Sequence, residues 1–257
     1  MNNKNDKRWM ILCAVFLVLF LGVWHLITAN TDSLPGPVPV AKAAWFFLSD
    51  PFYDNGPNDQ GIAILAYYSL KRLIIGFGSG TIVAVFLGVI LGLNAMLFKA
   101  INPYIQILRA ISPIAWMPIL LYSVQDSGLT ALLVIFMASL WPTLANTAFG
   151  VANIKKDYLN VANILQMKPG TKLLKVILPA AGPMIIAGLK ISMGSAWVAL
   201  VPAEALLGSL GLGYFIWNEW NNLSLSNVIF AVFIIGFVGV IIDLIFSRMA
   251  NRLSFVD

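Results

Sequence analysis

The sequence predicts an all-α membrane protein with about six transmembrane helices, on three observations. First, 60% of its 257 residues are hydrophobic and only 11% are charged, whereas a soluble domain carries about 25% charged residues. Second, the apolar residues are gathered into long runs, and a spanning helix needs about 20 mostly apolar residues. Six runs qualify, at 10–28, 73–97, 104–123, 128–149, 182–206 and 227–247. Third, most Lys and Arg residues lie between the runs. The formal net charge of +5 therefore reads as a topology signal rather than a nucleic-acid footprint.

The first run follows Lys4, Lys7 and Arg8. It is longer than the apolar part of a usual signal peptide and no clear small-x-small site follows, so it reads as a retained helix. Cys13 and His25, each alone of its type, both fall here. A single cysteine excludes an intrachain disulfide and a cysteine-based metal site. The stretch 29–61 carries Pro35, Pro37, Pro39, Pro51 and Pro57 and reads as mostly irregular. Residues 62–70 read as a short interfacial helix ahead of the second span.

In the second span Gly76, Gly80, Ala84, Gly88 and Gly92 share one face, where helix backbones can approach closely. No strand precedes these glycines, which excludes a phosphate-binding loop. Gly208, Gly211 and Gly213 read as turns in a loop between the last two spans.

Orientation follows from the basic residues. With the N-terminus inside, eleven fall on the inner side: Lys4, Lys7, Arg8, Lys99, Lys155, Lys156, Lys168, Lys172, Lys175, Arg248 and Arg252. Three fall outside, Lys42, Lys71 and Arg72. This asymmetry predicts both termini in the cytoplasm. Asp32, Asp50, Asp54, Asp59, Asp126 and Glu219 fall on the outer side.

The polar interruption at 150–179 is the most informative segment. Ile154, Tyr158, Val161, Ala162 and Leu165 recur at helical spacing, with Lys155, Lys156, Asp157, Asn160, Asn163 and Gln166 between them. Pro169 and Gly170 end this amphipathic helix, and a second short helix covers 171–178. The apolar stripe must bury against lipid, against the chain's own helices or against a partner. The residues leave all three open, although a membrane-surface helix favours more flanking Lys or Arg.

The stretch NVANILQMKPGTKLLKVILP (160–179) resembles the coupling motif of ABC-importer permease subunits, which runs Glu-Ala-Ala, three residues, Gly, and later Ile-x-Leu-Pro. Ala162 matches the second alanine, and Val176, Ile177, Leu178 and Pro179 stand for the last element. Asn160 replaces the glutamate and Gln166 the glycine. LRAISPIAWMPILL (108–121), FMASLWPTLANTAFGV (136–151) and GLKISMGSAWVALVPAEALLG (188–208) resemble the taurine, sulfonate and nitrate branch of these permeases. LGLGYFIWNEWN (210–221) and YLNVA (158–162) are most similar to the cyanobacterial nitrate and bicarbonate permeases.

The resemblance implies a type I ABC-importer permease fold, with residues 1–60 as a first helix and external loop and 61–257 as the permease core. It implies a homodimer in a bacterial inner membrane, two ABC ATPases that bind ATP and Mg, and a periplasmic or lipid-anchored substrate-binding protein. Tyr158, Leu159, Asn160, Val161, Ala162, Leu165, Gln166 and Gly170 become the ATPase-coupling set. The chain itself would hold no cofactor or metal and catalyse nothing. The expected cargo is nitrate, with nitrite or bicarbonate next, and taurine or another sulfonate as the alternative within the class.

Ionisable residues inside spans are costly and are functional candidates. Arg109 and Lys190 each lie about two turns inside the cytoplasmic end of a predicted span. Lys190, Gly194, Trp197, Val201 and Glu204 form a stripe on the fifth span; Arg109, Ser112, Trp116 and Ser123 form one on the third. In one reading both cations ease an anion inward, with Trp116, Ser112 and Thr143 as donors and Trp197 beside them. In the other, both cations snorkel to the inner headgroups. Glu204 is awkward on an anion path; it could pair with Arg72 or Lys71, or touch the binding protein. Pro202 can kink its helix, so Val201, Pro202 and Glu204 form a candidate gate. Asp243 is expected to pair with Arg248 or Lys190. Ser139, Thr143 and Asn146, beside Trp141 and Pro142, suit a pathway or interhelical hydrogen bonds equally.

A stand-alone channel or secondary carrier is the alternative from another class. An inverted repeat would mark a carrier, and the sequence displays none. A membrane-embedded enzyme would need clustered His, Asp or Ser residues, which the sequence also lacks.

Overall fold

The computed structural model describes residues 5–29, 34–56 and 58–253, with side chains from 10 to 248 within those segments. The side chains of Lys4, Lys7, Arg8 and Arg252, which entered the orientation argument, lie outside this set, as does Asp32. The described residues form eleven α-helices, with one isolated β-bridge between Asp54 and Gln60. Five helices are long and apolar enough to cross a membrane, or six if one bent pair counts as a span.

Helix α6 (Ser127–Ala152) is the centre of the molecule, packed between α3 (Ile62–Leu93) and α9 (Leu178–Leu207). The small-residue face of α3 explains how closely the first pair fits. A Cβ placed on Gly76 would stand 2.8 Å from Ile135, and one on Gly88 would stand 2.7 Å from Thr147. On the other flank, a Cβ on Gly188 would stand 2.8 Å from Asn146. Two hydroxyls of α6 are satisfied within this packing, while that of Thr147 is buried without a partner among the described residues. Ser139 donates to the Ile135 carbonyl at 2.8 Å, and Thr143 bonds the Ser192 hydroxyl of α9 at 2.8 Å.

Helix α1 (Asn5–Ala29) is peripheral; its described side chains are mostly exposed, and Trp24 reaches Phe233 of α11 (Leu225–Leu253) with ring centroids 6.0 Å apart. A peripheral helix that is apolar on all sides suits lipid contact.

Several boundaries differ from the sequence expectation, each for a local reason. The supposedly irregular 29–61 stretch contains α2 (Pro37–Ser49). Pro37 sits in the first turn, where its missing N–H costs nothing and its fixed φ favours a helix start. The interfacial helix at 62–70 does not exist separately: α3 is continuous from Ile62 to Leu93, so Lys71 and Arg72 lie inside it. The third run is not one helix. Helix α4 (Ala95–Ala110) and the 113–124 segment, a 3-10 turn followed by α5 (Met117–Val124), meet at 89°. Pro113 forces Ser112 out of helical geometry, to ψ 131°, as a proline does to the residue before it.

Beyond α6, α7 (Lys156–Ile164) lies apart, but the expected second short helix merges with the fifth span. Helix α8 (Pro169–Lys172) continues through a π turn at Leu173–Ile177 into α9, giving 39 residues without a break. The wider turn accommodates Pro179, which lacks an N–H. Helix α10 (Leu212–Asn221) occupies the expected outer loop. Gly208, at φ 64°, does end α9 in the left-handed conformation, but Gly213 is helical.

Candidate functional site

The break between α4 and α5 opens onto a groove of about 600 Å³ on the face of the helical bundle. Arg109 reaches it from the last turn of α4, Ser112 from the break, Trp141 from α6, Lys190 and Ser195 from α9, and Asp243 from α11. Arg109, Ser112 and Lys190 are therefore brought together although they come from different spans. No ion pair reaches Asp243 among the described residues, so the expected pairing with Arg248 or Lys190 is not formed. The Trp141 indole N–H is buried with no acceptor among them. Two cations and the Ser112 hydroxyl facing one groove suit an anion's oxygens.

Three other pathway candidates lie elsewhere. Trp116 sits beyond the bend, so the stripe from Arg109 to Ser123 does not form one face; its indole N–H is also buried and unpaired among the described residues. Thr143 is committed to its bond with Ser192 between α6 and α9. Trp197 is buried against α11, where its indole nitrogen would stand 2.7 Å from a Cβ on Gly239.

Of the gate candidates, Glu204 and the carbonyl of Val201 lie in a packed joint. Glu204 is 0% exposed and forms an ion pair with Arg72 of α3. It also accepts from the Ser69 hydroxyl at 2.8 Å and the Gly213 N–H at 3.1 Å. Arg72 donates to the Leu210 carbonyl at 3.2 Å, and the Leu212 N–H donates to Ser69 at 2.8 Å. The carbonyl of Val201 packs so tightly on Gly213 that any Cβ there would collide with it. Two buried charges outside water need this complement of partners. The network fastens α10 to α3 and α9, which is a positioning task.

On the side toward which α6 and α9 converge, α7 turns a divided face. Ala162 is 1% exposed and Leu159 packs near Val151, Ile177 and Ala181. Tyr158, Val161 and Leu165 stay exposed beside a groove of about 610 Å³. The apolar stripe therefore splits: part is buried on the chain's own helices and part is open. Asn160 and Gly170 are exposed as well. Lys172 donates to the Asn163 side chain at 2.8 Å and closes α8 onto α7. Gln166 ends α7 at φ 49°, with the Met167 N–H reaching back to the Ala162 carbonyl at 3.1 Å. This is a left-handed helix stop, where glycine is the unstrained choice.

The arrangement has two working parts, a charged groove at a broken helix and an exposed helix at one end. Residues 80–255 match the family described as the binding-protein-dependent transport system inner membrane component. The chain belongs to this family. The permease is 39% identical over 249 residues, 97% of its length and 89% of the relative's, to the nitrate import permease protein NrtB of Leptolyngbya laminosa. It is also 39% identical over 247 residues, 92% of its length and 89% of the relative's, to the bicarbonate transport system permease protein CmpB of Synechococcus elongatus. A chain of the MetNI methionine ABC transporter, solved in inward-facing conformations, shares its fold with a TM-score of 0.64 at 15% identity, over 75% of the permease and 96% of that chain. The permease is thus a multi-pass membrane protein with an ABC-importer permease fold, which sets aside the stand-alone channel or carrier.

Asp243 and Ser195 were not among the pathway candidates read from the sequence, and Trp141 was left open between a pathway and helix packing. Asp243 carried a signal, being ionisable and within a span, but its proximity to Lys190 depends on how α9 and α11 cross.

Proposed function

We propose that the permease is the membrane subunit of an ATP-driven importer for a small inorganic monoanion, with nitrate as the principal cargo and nitrite as a close analogue. The observation that carries this is the groove at the α4–α5 break, which Arg109, Lys190 and Ser112 line together. Broken helices at mid-membrane are a recurring way to expose backbone dipoles to a charged cargo. Nitrate is weakly hydrated and planar, so one or two cations and a few donors suffice to replace its water.

In this reading two copies of the chain enclose the path, and both termini lie in the cytoplasm beneath the bacterial inner membrane. Two ABC ATPases hold ATP and Mg, so this subunit is non-catalytic. They receive α7 through Tyr158, Val161 and Leu165, whose exposed apolar surface needs a cover. A soluble or lipid-anchored binding protein supplies cargo from the outer side. The joint around Glu204 holds α10 to the moving helices so that the outer end shifts as one piece.

Reconstituted complex carrying Lys190→Met or Arg109→Met should take up nitrate at least tenfold more slowly, while ATP hydrolysis in the absence of binding protein persists. Unchanged uptake in both variants would return the two cations to the snorkelling alternative. Bicarbonate is the second reading, favoured by the equal identity to a bicarbonate permease. Competition between labelled nitrate and bicarbonate for uptake separates the two.

A further inference from the structure

A cavity of about 320 Å³ lies on the opposite end of the bundle from α7, between α10 and the 50–61 loop. Its wall is aromatic: Phe47 meets Phe215 edge-on with centroids 5.1 Å apart, and Phe46 and Tyr53 lie beside them. Its rim carries Asp59 and Glu219, with amides from Asn58, Gln60, Asn218 and Asn222. No Lys or Arg lines it.

The rim is held in place. The Tyr214 hydroxyl donates to Asn58 at 2.8 Å and ties the loop to α10. Asn227 donates to Glu219 at 2.7 Å, which fixes that carboxylate. Asn55 donates to Asp59 at 3.1 Å. Acceptors nevertheless exceed donors. The Gln60 carbonyl oxygen is buried and has no donor among the described residues, and neither rim carboxylate has a cationic partner there. The phenol of Tyr53 is pushed up to about 12, first by burial, then by Asp59, and then by the charges of Glu219 and Asp50. The field in the pocket is negative.

We propose that this pocket seats a basic side chain, a guanidinium or ammonium group, of the soluble binding protein that serves the transporter. The reading rests on the function proposed above, which puts this end outside. An aromatic face beside two carboxylates and a free amide carbonyl is complementary to a planar cation with several donors. The same field repels an anionic cargo, so the pocket is not a station on the transport path. No group of three or more potential metal ligands occurs among the described residues, which favours an organic cation over a metal ion. The family is binding-protein-dependent, so a soluble partner must meet this face during each cycle.

The test uses the reconstituted transporter with its binding protein, reading ATP hydrolysis against binding-protein concentration. Asp59→Asn with Glu219→Gln should raise the half-saturating concentration about tenfold, flatten its dependence on salt, and leave the maximal stimulated rate in place. Asn222→Lys, which supplies the pocket with its own cation, should act in the same direction. An unchanged half-saturating concentration in both variants, with unchanged thermal unfolding, would overturn the docking while leaving the function intact. Stimulation lost on chelation and restored by calcium would assign the pocket to a metal ion and also overturn it. A binding protein that fails to stimulate the unaltered transporter would overturn the proposed function itself, and the docking with it.

Discussion

Arg72 and Glu204 form an ion pair across 132 positions of sequence, joining α3 to α9 where α10 folds back over both. The two ends of the pair are unequal, since Arg72 is 14% exposed and Glu204 is 0% exposed. Removing the arginine strands a buried carboxylate, at a cost of about 3–5 kcal/mol. Glu204→Gln keeps hydrogen-bonding capacity toward Ser69 and Gly213, while Arg72 retains the Leu210 carbonyl, so it should cost only about 1–3 kcal/mol. Thermal unfolding of purified protein in detergent should therefore rank Arg72→Met below Glu204→Gln. The reverse order would show that the cation, not the carboxylate, is dispensable.

Substitutions at Ala162 and Leu165, both in the coupling set, are not equivalent. Ala162 is 1% exposed, so Ala162→Asp buries a carboxylate and disturbs the seating of α7. Leu165 is 65% exposed, so Leu165→Asp leaves the fold alone and alters only the outward surface. Leu165→Asp should insert normally yet lower transport-coupled ATP hydrolysis tenfold or more. Full coupling in that variant would remove α7 from the ATPase contact.

Gln166 holds a left-handed conformation at φ 49°. A non-glycine residue there costs about 1–2 kcal/mol, partly offset by the extra freedom glycine has when unfolded. Gln166→Gly should stabilise the end of α7 by up to about 1 kcal/mol, and Gln166→Val should destabilise it. Hydrogen exchange across 156–168 in the intact protein reads both. The glycine of the family motif thus has a conformational reason, and this permease tolerates its loss at a local cost.

Tyr53 should ionise late in a pH titration. Its value of about 12 lies above the ordinary 10.0. Between those values the folded chain retains a proton that the unfolded chain has released. The contribution to stability is therefore full below about 10 and is lost as pH rises toward about 12. Ultraviolet titration against Tyr53→Phe isolates the group. Asp59→Asn should bring it only part of the way down, because burial, the largest cause, remains.

Much of this architecture was legible in the residues. The four-residue spacing from Gly76 to Gly92 marked the face of α3 that meets α6. The polar interruption at 150–179 located α7. What escaped was governed by context. Five prolines made 29–61 read as irregular, although Pro37 starts a helix and does not end one. The apolar run at 104–123 concealed a bend, because hydropathy averages over the Ser112–Pro113 step that makes it. That bend also decides the groove: it brings Arg109 toward Lys190 and turns Trp116 away. Asp243 and Trp141 come from separate helices, and no spacing along one chain segment could have joined them.

The seam between α3 and α6 has a mechanical consequence. At Gly76, Gly80, Gly88 and Gly92 the backbone of α3 rests directly on α6. Flexible side chains, which would act as compliant spacers, are missing at all four levels. Such a seam resists both sliding and rolling, because either would drive the α3 backbone into the carbonyls and stiff β-branched side chains of α6. Displacement entering at α7 would then reach the Glu204 joint with little lost to elastic yielding, much as a stiff pushrod transmits a stroke along its length.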